Sequence, residues 1–104
     1  MDIIHANQDN FDAIISSDVV LVDFFATWCG PCKMLGPVLE EMASERSSVK
    51  IVKVDIDGSM ELARRYGIMS VPTMLLFKDG KLVDQVTGFM PKMELTNWIN
   101  ERTN

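Results

Sequence analysis

Cysteine occurs only twice in these 104 residues, at positions 29 and 32, and histidine only once, as His5. A structural zinc site draws on about four Cys or His ligands, so no metal is expected. No histidine follows Cys32 directly, which removes the haem-attachment pattern. Nor do two cysteines make the disulfide framework that staples small secreted domains. Apolar runs are short: none exceeds the one at 19–22, far below the length that spans a bilayer. Positive charge is scarce too, with 10 scattered basic residues against 15 acidic ones and a net charge of −5. That leaves no footprint for nucleic acid. Met1-Asp2-Ile3-Ile4-His5 has no basic stretch followed by an apolar one, so no signal peptide is expected and the chain reads as cytoplasmic.

What is present fits an ordinary globular chain: 47% hydrophobic and 24% charged residues. Repeats, low-complexity tracts and linkers are missing, and residues 1–104 are expected to form one domain. Residues 3–5 read as a short strand. Asn7 is placed to cap a helix over 7–16, with Phe11, Ile14 and Ile15 as its apolar stripe. Val19–Phe25 is nearly all apolar, interrupted by Asp23, and predicts a central strand covered on both faces. A helix over 31–45 follows, with Leu35, Val38, Leu39 and Met42 on one face and Pro37 expected to kink it. Val49–Asp55 is the next strand, and a short helix through Leu62, Ala63 and Tyr66 closes at Gly67. Thr73–Lys78 and 82–87 flank Asp79-Gly80, a hairpin signal, and the second of these strands reads as an edge. Pro91 opens a last helix with Leu95, Trp98 and Ile99 inward. The order βαβαβαββα predicts an α/β fold of three layers, α/β/α, with a mixed five-stranded sheet and four helices.

Both cysteines lie in Trp28-Cys29-Gly30-Pro31-Cys32, where a strand gives way to a helix. Thiols at i and i+3 on the first helical turn share a face and are close enough to bridge. The helix N-terminus favours negative charge and pushes the first thiol toward thiolate, the form that attacks disulfides. Cys29 precedes the helix and is expected to be the more exposed sulfur and the nucleophile.

Several separated features carry a resemblance: Asp23, Trp28-Cys29-Gly30-Pro31-Cys32-Lys33, Pro37, Lys53, Val71-Pro72-Thr73, Lys78-Asp79-Gly80 and Gly88. Over essentially its whole length the chain resembles the thioredoxins. The resemblance implies the thioredoxin fold and a protein disulfide reductase. Cys29 would form a mixed disulfide with a client, and Cys32 would resolve it, leaving Cys29–Cys32 oxidised. It further implies that Asp23 sits beneath the cysteines and relays a proton for Cys32. Lys53, on the strand face of Val49 and Ile51, would be its partly buried partner. The bond before Pro72 would be cis and face the cysteines, and the Val71 backbone would pair with client peptide like an added strand. Trp28, Gly30, Pro31, Val71, Gly88 and Phe89 would form a flat apolar rim.

No cofactor is expected to bind, since the redox group is the Cys29–Cys32 pair. NADPH would act only through a thioredoxin reductase. Clients of the ribonucleotide reductase, peroxiredoxin and methionine sulfoxide reductase types follow by resemblance, as does a monomer. The chain departs from the family at Phe25, where tryptophan is common, at Met69 and Ser70, and at Phe89.

Three other readings weigh against this one. A purely structural disulfide would close too short a loop to stabilise much. An oxidase or isomerase is the alternative within redox chemistry, but there the two residues between the cysteines differ and include a thiolate-stabilising histidine. A binding module using the fold as a clamp would not need the intact pair. Of eight methionines, Met42 and Met74 read as core, while Met34, Met69 and Met90 either approach the client surface or pack, the commoner fate of a methionine stripe, and are given no role.

Overall fold

The computed structural model describes residues 2–45 and 48–104. Nine elements follow in the expected order: β1 (Ile4–His5), α1 (Phe11–Ile14), β2 (Val19–Phe25), α2 (Gly30–Ser44), β3 (Val49–Asp55), α3 (Met60–Arg65), β4 (Thr73–Lys78), β5 (Lys81–Thr87) and α4 (Lys92–Thr103). The sheet runs β1-β3-β2-β4-β5. β1, β3 and β2 are parallel, and β4 and β5 are antiparallel to their neighbours. β2 lies at the centre and β5 at an edge.

The alternation of β2 divides the interior. Val20, Val22 and Phe24 turn to one face and pack with Phe11, Val52, Val54, Leu62, Leu75 and Phe77 beneath α1 and α3. Leu21 turns to the other and packs with Leu35, Leu39, Met42, Ile51, Met74, Leu76, Leu95 and Ile99 beneath α2 and α4. Asp23 shares parity with Leu21, so a carboxyl is built into the face that α2 covers.

Local chemistry explains most boundaries. Asp79 and Gly80 both take positive φ, 51° and 83°, as a two-residue hairpin turn of this hand requires. Gly67, at φ 64°, follows α3; its N–H donates to Arg64 O and that of Ile68 to Ala63 O, the paired bonds of a Schellman motif.

Two ends differ from expectation. Asn7 does cap, but its Oδ1 accepts from the N–H groups of Asp9 and Asn10, forming a turn that precedes a shorter helix. Pro91 is the N-cap of α4, not its first residue, and Pro37 lies inside α2 without ending it. Met90 is buried in the α2/α4 core, so of its two readings packing is the one the structure shows.

Candidate active site

The loops after β2 and β3 and the loop before β4 meet at one end of the sheet, because Phe24 pairs with both Val54 and Thr73. The first of these carries Cys29, the N-cap of α2, and Cys32 in its first turn. Their Cα atoms are 5.2 Å apart and the sulfurs are joined. Cys29 Sγ accepts the Cys32 N–H at 3.2 Å, so one orphan donor of the helix start points at this sulfur. It also lies 3.6 Å from the Val71 carbonyl oxygen.

The two cysteines are almost equally buried, 5% and 4% exposed. The expected difference in exposure is therefore not what separates them in the disulfide form. The separation is electrostatic: only Cys29 sits at the cap and receives the helix N–H.

Trp28 is 67% exposed, and its Nε1–H donates to Asp57 Oδ2 at 3.0 Å. That contact spans the loops after β2 and β3, and no sequence spacing announces it. Trp28, Gly30, Pro31 and Val71 line a groove of about 500 Å³ beside Cys29, together with Ile56, Ile68, Met69 and Ser70. Gly88 and Phe89 do not line this groove; Gly88 N–H is bonded to Pro72 O at 2.8 Å, and Phe89 is exposed nearby in sequence.

The Val71–Pro72 bond is cis, as the resemblance implied. Thr73 is buried and its hydroxyl donates to Ser70 O at 2.7 Å, tying the loop before β4 to that strand. Ile56 and Ile68 escaped the sequence reading, since an isolated Ile near a turn carries no local signal.

Asp23 is 1% exposed, and neither carboxylate oxygen has a hydrogen-bond partner among the described residues. Burial pushes its pKa from the ordinary 3.8 to about 7, with the Lys53 charge pulling partly back. Lys53 is its register neighbour on β3 and is half-buried. Its ammonium, however, lies over the Phe25 ring, 4.3 Å from the centroid. Asp23 and Lys53 therefore interact through space without a hydrogen-bonded ion pair.

Among the described residues, no group of three His, Cys, Asp or Glu side chains is arranged to hold a metal. No helix among them is long and apolar enough to cross a membrane.

A three-layer α/β/α sandwich with a Cys-x-x-Cys pair at a helix N-terminus defines a protein that exchanges thiols with disulfides. The family model described as Thioredoxin matches residues 2–101. Thioredoxin of Bacillus subtilis is 49% identical over 102 residues, covering 97% of this chain and 98% of its own. That of Chlamydia caviae is 53% identical over 97 residues, covering 93% and 95%. A solved mutant thioredoxin from Halobacterium salinarum superposes with a TM-score of 0.91 at 40% identity, covering 99% of this chain and 92% of that one. The chain belongs to the thioredoxin family. It has the thioredoxin fold and is a thiol-disulfide oxidoreductase whose redox group is the Cys29–Cys32 pair. The family uses no bound cofactor, is reduced by thioredoxin reductase and acts on disulfide-bearing client proteins.

Proposed function

We propose that this protein is a general reductase of protein disulfides in the cytoplasm, formed by residues 1–104 as a single monomeric domain. The observation that carries the assignment of roles is the placement of Cys29 at the cap of α2. Its sulfur accepts the Cys32 N–H and lies against the Val71 carbonyl. In the reduced protein that N–H and the helix dipole stabilise a thiolate on Cys29 in preference to Cys32.

The Cys29 thiolate attacks one sulfur of a client disulfide, and the other leaves as a thiolate that takes up a proton. Cys32 then loses its proton to Asp23 and attacks Cys29 Sγ, and the client's second sulfur departs. Two electrons pass from the dithiol to the client, and the Cys29–Cys32 bond forms. The buried, raised carboxyl of Asp23 suits proton transfer near neutrality. Lys53 tunes it by charge. Thioredoxin reductase, drawing on NADPH, returns the pair to the dithiol.

Client peptide docks in the groove of Trp28, Gly30, Pro31 and Val71, with the Val71 backbone as a pairing edge. Pro72 sets that edge, while Gly88 and Phe89 extend it. The cis bond itself supports this reading only as a match to the resemblance. Gly30 agrees with close docking, because the chain's own atoms leave open space around its Cα and do not themselves demand a glycine there. Ribonucleotide reductase, peroxiredoxin and methionine sulfoxide reductase types are the client classes this reading favours.

Cys32→Ser protein is expected to accumulate mixed disulfides through Cys29, whereas Cys29→Ser is expected to capture none and to lose activity altogether. Intact-mass spectrometry after exposure to a disulfide-bonded client reads this directly. Adducts on Cys29→Ser and none on Cys32→Ser would reverse the roles.

A further inference from the structure

Phe25 stands where the two parts of the site meet. It packs against the cluster of Ala26, Cys29 and Cys32. At the same time its ring carries the Lys53 ammonium at 4.3 Å from the centroid, inside the range of a cation–π contact. Register places Lys53 directly beside Asp23, while Phe25 pairs with Asp55. A half-buried ammonium next to an unpartnered buried carboxyl is ordinarily expected to form an ion pair. Here neither Asp23 oxygen has a hydrogen-bond partner among the described residues. The ring competes for the same cation.

We propose that Phe25 is a positioning residue: its ring face seats the Lys53 ammonium away from Asp23 and so keeps the buried carboxyl free of an ion pair and able to exchange a proton. The inference deepens the reading of Asp23 as the proton acceptor and rests on it. Other charged or titratable groups near this face are few. β3 offers Asp55, whose Oδ1 already accepts the Asp57 N–H at 2.9 Å. β1 offers His5, in register with Lys53, and α2 the cysteine pair. β4 places Met74 opposite Asp23, and α4 brings Leu95 and Ile99 to this side of the sheet. Lys53 is thus the cation placed to answer a change at Asp23, and Phe25 is what holds it.

The Asp23 carboxyl is followed by carbon NMR through a pH titration of the oxidised protein. Phe25→Leu removes the ring face, releases Lys53 toward Asp23 and is expected to lower the carboxyl midpoint by about one pH unit, the effect of an opposite charge brought close. Pentafluorophenylalanine incorporated at position 25 keeps the shape but cancels the negative ring face, and is expected to lower it in the same direction. Phe25→Trp keeps a cation-binding face and is expected to leave the midpoint in place. In a Lys53→Met background, Phe25→Leu is expected to cause no fall.

A midpoint that stays or rises in the fluorinated protein overturns the proposal, even if Phe25→Leu does not fold. So does a fall that persists without Lys53. The pH profile of client reduction is expected to shift down with the midpoint in Phe25→Leu. The role of Asp23 is tested separately, by turnover of Asp23→Asn, so the two readings fail independently.

Discussion

At Asp23 a carboxyl with 1% exposure sits between Val22 and Phe24 on the central strand, facing the side that α2 covers. Nothing compensates its desolvation fully: no hydrogen bond reaches it among the described residues, and Lys53 acts only through space. The folded-state pKa, about 7, stands above the ordinary 3.8, so the folded chain holds this proton after the unfolded chain has lost it. Stability from this group therefore falls as pH rises from near 4, and the loss is complete above about 7. At ~1.4 kcal/mol per pH unit the penalty is on the order of 4 kcal/mol. Asp23→Asn is expected to flatten that dependence and to be more stable than the parent at pH 8, yet slower in turnover. Guanidinium unfolding of both oxidised proteins at pH 5 and pH 8 measures it. A variant less stable at pH 8 would make Asp23 a structural anchor.

The helix α2 concentrates its chemistry in one turn. Pro31 needs no hydrogen-bond donor at the start of a helix, and Cys29 supplies the cap that a serine or aspartate provides elsewhere. Gly30-Pro31 adds no charge to help a thiolate, so within this turn the help comes from the dipole and the Cys32 N–H. An imidazolium placed there would stabilise the reduced form. Pro31→His is accordingly expected to raise the reduction potential and make the protein a weaker reductant. Equilibration with a glutathione buffer, followed through Trp28 fluorescence, reads the change. A lower or unchanged potential would show that local charge between the cysteines does not govern the couple.

Across the whole molecule, the sheet carries two separate cores, and α2, which bears the cysteines, rests on only one of them. Leu75 and Leu76, neighbours in β4, are both fully buried but face opposite sides, toward α1/α3 and α2/α4 respectively. Each truncation to alanine is expected to cost about 2–5 kcal/mol in chemical denaturation. Leu75→Ala is expected to leave client reduction intact in the folded protein, because its core lies across the sheet from Asp23 and α2. Leu76→Ala is expected to lose reduction as well, since it loosens the face on which α2 rests. Equal activity of the two folded variants would contradict this division. On the exposed side, Lys92 bridges Glu41 and Glu45 at 3.0 and 2.9 Å and ties α4 to α2, a contact too solvated to rival the cores.

Element order, the hairpin at Asp79-Gly80, the end of α3 at Gly67 and the redox pair at 29 and 32 were determined by the sequence itself. Each rests on interactions within a few residues: periodicity, turn conformation or spacing along one helical turn. The α1 and α4 starts were less legible, because Asn7 caps a turn ahead of α1, which begins only at Phe11, and Pro91 sits one residue outside α4. Tertiary structure alone decided the rest. It brought Asp57 to Trp28, and Ile56 and Ile68 to the groove. It sank Met90 into the core, equalised the exposure of the two cysteines, and set the Lys53 ammonium on Phe25 instead of on Asp23. These outcomes depend on the strand order β1-β3-β2-β4-β5 and on the loops that meet at one end of it. Residues far apart in sequence become neighbours there, and the competition between a ring and a carboxyl for one cation is settled by packing, which no local pattern encodes.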